Sequence, residues 1–152
     1  MVDQHDQLLE TLRELFSGGL PVSIPPKIFD ELGLRLTKYD AGKVLVVSAP
    51  ASEKFCNPMG SYQGGVLGAV FDAAFGTMAF LIAERPCTTA QMEMQFMRPL
   101  PADGRTFTVE VRLRALRNSM LFLEGRALDR DKRQVAAAST TMLVLKQRGS
   151  TV

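Results

Sequence analysis

The sequence predicts an α+β domain in which an antiparallel sheet wraps one long central helix, preceded by shorter helices. Three observations carry this. The run Val66–Ala83 is apolar or small throughout except for Thr77 and Asp72, which suits a helix enclosed on nearly all sides. Segments that alternate apolar and polar residues, the period of a half-buried strand, lie on both sides of it. Finally, 152 residues with no linker are enough for one real hydrophobic core. A single unit over 1–152 is expected, with a helical extension over 1–32 and the core over 33–147.

The first element is an amphipathic helix, with Leu8, Leu9, Leu12, Leu15 and Phe16 on one side. Its acids and histidine do not fit the basic start and apolar centre of a signal peptide. "SGGLPVSIPP" is a loop by its Gly and Pro content, and "PKIFDELG" makes a short helix ending at Gly33. "LRLTKY" and "KVLVVSA" read as strands around the turn "YDAGK", and an irregular stretch then leads into the long helix. Beyond it, Met92, Met94 and Phe96 alternate with Gln91, Glu93 and Gln95. Phe107, Val109, Val111 and Leu113 alternate with Thr108, Glu110, Arg112 and Arg114. "MLFLEGRAL" and "QVAAASTTMLVLK" complete four strands, expected to run as a meander. One helix with so much antiparallel strand packs on a single face of the sheet.

Composition excludes several functions. The net charge of +2, from 18 basic and 16 acidic residues, is too balanced for a nucleic-acid partner, and the first 32 residues are acidic rather than basic. The long helix could span a bilayer by length, but a central carboxylate costs about 2.5–3.5 kcal/mol there, and its glycines and flanking strands favour a buried helix. Cys56 and Cys87 have no zinc or disulfide spacing and read as small apolar filler in a reducing compartment. A cytoplasmic location is expected. One histidine, His5, expected to face solvent, cannot support a Ser–His–Asp or Cys–His mechanism, and it leaves no metal cluster.

The residue that demands explanation is Asp72, a charge inside an apolar helix, which is costly unless paired or used. At helical spacing it shares a face with Gly68, Ala69, Phe75 and Gly76, and with Gly65 and Ala79 these form a small-residue stripe. A structural role, with a hydroxyl or amide satisfying a buried carboxylate, is one reading. A site is the other, because "QGGV" puts Gly64 and Gly65 at the helix start, where unpaired N–H groups can polarise a carbonyl. Gly64 and Asp72 are eight residues apart, about 12 Å along the axis. A substrate lying along the helix, a water or a second chain would have to join them. Met92, Met94, Phe71 and Phe75 suggest an apolar pocket, or simply core.

The stretch "NPMGSYQGGVLGAVFDAAFG" resembles the signature of the hotdog-fold acyl-CoA thioesterases of the phenylacetate-type, PaaI-like family. That signature has Asn, six residues on a His-Gly-Gly, then a carboxylate in the central helix. Asn57, Gln63-Gly64-Gly65 and Asp72 fall on it, and "TTAQMEMQFMRPLPADG" looks like the family's third strand. The resemblance implies hydrolysis of an acyl-CoA, with no cofactor, by a homodimer or homotetramer whose site forms between subunits. It implies that Asp72 is the base or nucleophile and Gly64 N–H the oxyanion donor beside Gly65. Asn57 would position water or the carbonyl, and Thr89 from the partner chain would hold the water. The hairpin "RLRALRNSM" resembles the family's nucleotide contact. Arg114 and Arg117 would meet phosphates, with Asn118 and Ser119 shaping the turn; alternatively the arginines are a solvated strand face. Arg98 is a weaker cationic candidate. Gln63 departs from the family's His: it can hydrogen-bond but not exchange a proton near neutral pH. A hotdog dehydratase would rely on that missing histidine. A non-catalytic acyl-CoA or acyl-carrier binding module is the alternative that Gln63 motivates.

Overall fold

The computed structural model describes residues 3–18 and 22–146; parts of the first loop and the final residues lie outside them. Its elements are helices α1 (Gln4–Phe16) and α2 (Lys27–Leu32), strands β1 (Arg35–Asp40) and β2 (Val44–Pro50), and a 3-10 turn at Glu53–Phe55. The long helix α3 (Gly64–Ala83) follows, then β3 (Cys87–Phe96), β4 (Thr106–Arg117), β5 (Met120–Leu128) and β6 (Gln134–Val144). Every pairing is antiparallel, in one six-stranded sheet of order β1-β2-β4-β5-β6-β3.

That order corrects the expected four-strand meander. β4, β5 and β6 do run consecutively, but β3 pairs with β6 at the far edge, and β4 pairs with β2. Period-two patterning identifies a strand without naming its neighbour. The connection between β3 and β4 carries the chain back under the start of α3. The Met97 and Arg98 amides donate to the Val135 carbonyl, Ala102 N–H to Gly60, and Gly104 N–H to Ala51. This crossing ties the sheet to the loop that enters the helix.

α3 is largely apolar because the sheet curls around its buried side. Val70, Phe71, Ala74, Phe75 and Met78 are fully buried against Leu45, Val47, Val109, Val111, Leu121, Leu123 and Ala127. The rings of Phe71 and Phe75 stack at 5.9 Å, and they sit on Gly125 of β5, where a Cβ would lie 3.0 Å from Phe71 Cε1. Glycine there is a packing requirement. Phe71 and Phe75 are fully buried and therefore core.

α1 buries Leu8, Leu9, Leu12 and Phe16 as its pattern predicts, with Phe16 5.0 Å from Phe80 of α3. His5 does not simply face solvent: its Nδ1 accepts the Leu36 N–H at 3.0 Å, and Asp3 pairs with Arg35. The two sheet edges thus differ. α1 is fastened along β1, whereas nothing among the described residues covers the outer edge of β3, whose residues are exposed except for Cys87, Met92 and Met94.

Candidate active site

The loop entering α3 is braced from within. Asn57 Oδ1 accepts the N–H groups of Met59 (2.9 Å) and Ser61 (3.0 Å), while Asn57 N–H donates to the Ser61 carbonyl at 2.7 Å. Its side-chain oxygen is therefore committed to the loop, and only the Nδ2 amide remains for a ligand. Tyr62 anchors the next position. Its N–H donates to Leu100 at 2.7 Å and its ring is buried between Phe55 and Phe107. Burial pushes the phenol up to about 12, and its hydroxyl has no partner among the described residues.

Gln63 is the N-cap of α3. Its N–H donates to Phe55 and its carbonyl accepts from Val66 and Leu67, but its exposed side chain makes no capping bond. The next two amides, of Gly64 and Gly65, have no acceptor among the described residues. They are the orphan donors of a helix start, at the positive end of its dipole. Glycine keeps them approachable: open space surrounds the Cβ position of Gly65, and that of Gly64 lies 3.1 Å from Phe96 Cζ.

Asp72 is exposed, which sets aside the structural reading of a buried, satisfied carboxylate and agrees with a charge on the side open to close approach. The sheet wraps α3 incompletely, and Asp72 emerges on the uncovered side. Its Oδ1 accepts the hydroxyl of Thr89 at 2.7 Å. This corrects the expected arrangement, in which Thr89 reaches Asp72 from a partner: carboxylate and hydroxyl belong to one chain. The small-residue stripe divides likewise. Gly68 is covered by β3, with Met94 Sδ 3.2 Å from its Cβ position, and Ala79 is buried. Gly65 and Gly76 remain open, so the approachable face runs through Gly65, Ala69, Asp72 and Gly76.

The structure brings together Asn57, Gln63, Gly64 and Gly65 at one end of this face, and Asp72 with Thr89 at the other. The hairpin residues form a separate group. Asn118 and Ser119 make the two-residue turn joining β4 and β5, Asn118 being left-handed at φ 52°. Ser119 accepts the Val144 N–H at 2.8 Å. Arg114 and Arg117 are exposed. Arg114 pairs with Glu124 at 3.3 Å, and Arg117 reaches only the Leu116 carbonyl. Arg98 is spent on the Gln134 carbonyl at 2.7 Å. Cys56 is exposed, not filler, and Cys87 is half-buried with its thiol pushed up to about 11 by burial. Phe96, against Gly64, did not stand out in the sequence as a site residue; its signal was the alternation with Met92 and Met94.

A model of the thioesterase superfamily matches residues 59–136, from the turn before α3 into β6. A Pseudomonas aeruginosa protein provisionally named an esterase is 32% identical over 124 residues, spanning 80% of this chain and 91% of its own. Among solved structures, the Escherichia coli PaaI protein of the phenylacetic acid degradation operon superposes with a TM-score of 0.77. It is 17% identical, over 93% of this chain and 96% of its own. A Ralstonia eutropha protein, provisionally described as a phenylacetic acid degradation-related thioesterase, gives 0.71 at 29% identity, over 87% and 97%. A Streptococcus mutans protein solved with acetyl CoA also gives 0.71, at 17% identity over 86% and 98%. The six-stranded antiparallel sheet around α3 is thus the hotdog fold, and the chain belongs to the thioesterase superfamily.

Proposed function

We propose that the protein hydrolyses acyl-CoA thioesters to the free acid and CoA, with Asp72 as general base and the Gly64 and Gly65 amides as oxyanion donors. The observation that carries this reading is the exposed Asp72–Thr89 pair on the same open helix face as two unpaired glycine amides. Thr89 donates to one carboxylate oxygen and leaves the other to take a proton from water. The water oxygen bonds to the thioester carbon, the oxyanion forms against the helix start, and collapse expels CoA as thiolate. Thiols ionise near pH 8.5, so this leaving group departs without an acid. Gln63, which cannot exchange a proton near neutral pH, is therefore no obstacle to the reaction. Asn57, through Nδ2, helps hold the carbonyl or the water.

About 12 Å separates the two halves along one helix, so we infer that two copies complete each site. β3 has an unpaired edge, with Thr89 near one end beside Asp72 and Phe96 at the other beside Gly64. Antiparallel pairing of β3 with a second β3 would bring the Gly64 end of one copy to the Asp72 end of the other, twice over. At the rim, Arg114 and Arg117 supply positive charge for CoA phosphates beside the Asn118–Ser119 turn. The Arg114–Glu124 pair is exposed and weak enough to exchange. The reaction draws on no cofactor.

A panel of acyl-CoAs with thiol detection tests the reading. Asp72→Asn should lose about 10²–10⁴ in kcat with the fold intact. A single turnover in ¹⁸O-water should put label in the released acid; label in Asp72 would make it the nucleophile instead. If the wild type binds CoA thioesters but hydrolyses none, the binding-module alternative prevails.

A further inference from the structure

Phe96 is a large aromatic residue that the fold leaves 57% exposed at the end of β3. Its ring end meets α3 where the free amides lie: Cζ, Cε1 and Cε2 are 3.1, 3.3 and 3.7 Å from the Cβ position of Gly64. Period two carries the same strand face on to Met94 and Met92, whose Sδ and Cε lie 3.2 and 3.9 Å from the Cβ position of Gly68. The wall beside the helix start is therefore ring and thioether. Of the polar residues of β3, Glu93 and Gln95 point the other way and line the outer trough of the sheet with Glu110 and Arg126, while Thr89, beyond the bulge, turns back to Asp72. The nearest cation in sequence, Arg98, is turned to the Gln134 carbonyl.

We propose that Phe96, backed by Met94 and Met92, is the acyl-recognition wall and selects an uncharged, apolar acyl group, aryl or hydrocarbon, over one ending in a carboxylate. This rests on the thioesterase reading of the same site. A thioester carbonyl on the Gly64 amide has the Phe96 ring as its immediate neighbour. A terminal carboxylate there meets no cation among the described residues, and an unpaired charge against apolar surface is costly. Strand register gives the direction. Arg117, Met120, Leu143 and Thr88 lie in one cross-strand row, so the hairpin sits at the Thr89 end of the sheet, away from Phe96. In a two-copy site the CoA arm leaves toward the hairpin of the copy supplying Asp72. The acyl group runs toward Phe96 of the copy supplying Gly64.

The test is steady-state kinetics with benzoyl-, hexanoyl-, acetyl- and succinyl-CoA on the wild type, Phe96→Ala and the conservative Phe96→Leu, with oligomeric state measured alongside. The wild type should prefer benzoyl or hexanoyl to succinyl. Phe96→Ala should lower the benzoyl-to-acetyl ratio of kcat/KM about tenfold or more, and Phe96→Leu less. Hydrolysis with succinyl preferred, or equal loss across all four substrates, overturns the acyl wall and leaves the thioesterase reading standing. So does a Phe96→Ala protein that merely falls apart into single chains while Phe96→Leu keeps wild-type ratios. A wild type that hydrolyses none of the four overturns both.

Discussion

Asn57 holds the loop through one atom and, in the proposed reaction, meets substrate through another, and a pair of substitutions can separate the two roles. Its Oδ1 holds the loop by accepting the N–H groups of Met59 and Ser61 at 2.9 and 3.0 Å; its Nδ2 is the group left for substrate. Asn57→Ala removes both. Each lost bond is worth about 0.5–1.5 kcal/mol net, but Met59 is exposed and water repays part of its share. The expected cost is about 1–2 kcal/mol, a fall of roughly 2–8 °C in Tm for a chain of this size. Asn57→Asp keeps an acceptor in the same place, so its stability should stay within about 0.5 kcal/mol of wild type. Activity should follow the other atom. Both variants lose the Nδ2 donor, at about 10²–10³ in kcat if it touches the developing oxyanion. The aspartate should be the slower, because it adds negative charge where negative charge develops. Urea and thermal unfolding beside thioester hydrolysis read the two effects separately. An Asn57→Asp protein as unstable as Asn57→Ala, or one as active as wild type, would refute this division of labour.

Three further outcomes follow from named contacts. His5 accepts the Leu36 N–H through Nδ1, and its pKa is lowered, first by burial and then by Arg35, with Asp6, Asp3 and Asp30 opposing. The folded state therefore prefers neutral His5: this stability is fully present above the unfolded pKa of about 6.5 and is lost as pH falls through the lower folded value. His5→Phe should flatten the change in Tm between neutral and mildly acidic buffer, and an unchanged pH profile would count against the contact. Gly125→Ala drives a methyl against the rings of Phe71 and Phe75 and should cost about 1–3 kcal/mol in urea unfolding; a neutral result would mean the rings can give way. Arg114→Gln with Arg117→Gln should raise KM for acyl-CoA and weaken its salt dependence with kcat little changed, whereas equal KM would remove the hairpin from the CoA site.

Much of the fold was legible because α3 and the strands have clean periods. Leu8, Leu9, Leu12 and Phe16 marked the packed face of α1, and Phe107, Val109 and Val111 that of β4. What failed depends on information that no local window holds. The place of β3 beside β6 follows from how the 97–105 connection crosses under the helix. Phe71 and Phe75 belong to the core, and Phe96 to the surface, because the sheet curls around one side of α3 only. The same incompleteness exposes Asp72, which an apolar helix read alone would bury. Spacing marked Gly64, Gly65 and Asp72 as a constellation, but whether Thr89 meets Asp72 within one chain is a question of strand register. The bulge between Thr89 and Gln91 resets that register locally.

The open edge of β3 also has a consequence for the chain before it finds a second copy. Edges that must stay single usually carry lysine, proline or a strong bulge to repel other strands. "CTTAQMEMQF" has neither lysine nor proline, a single acid, and one bulge near its start, so the run 91–96 is guarded only by Glu93. A lone subunit would thus be an adhesive surface, which the proposed self-pairing would cover. Specific activity should accordingly rise with enzyme concentration until the edges are occupied. Substitutions that block pairing should yield a protein that aggregates as well as one that no longer turns over.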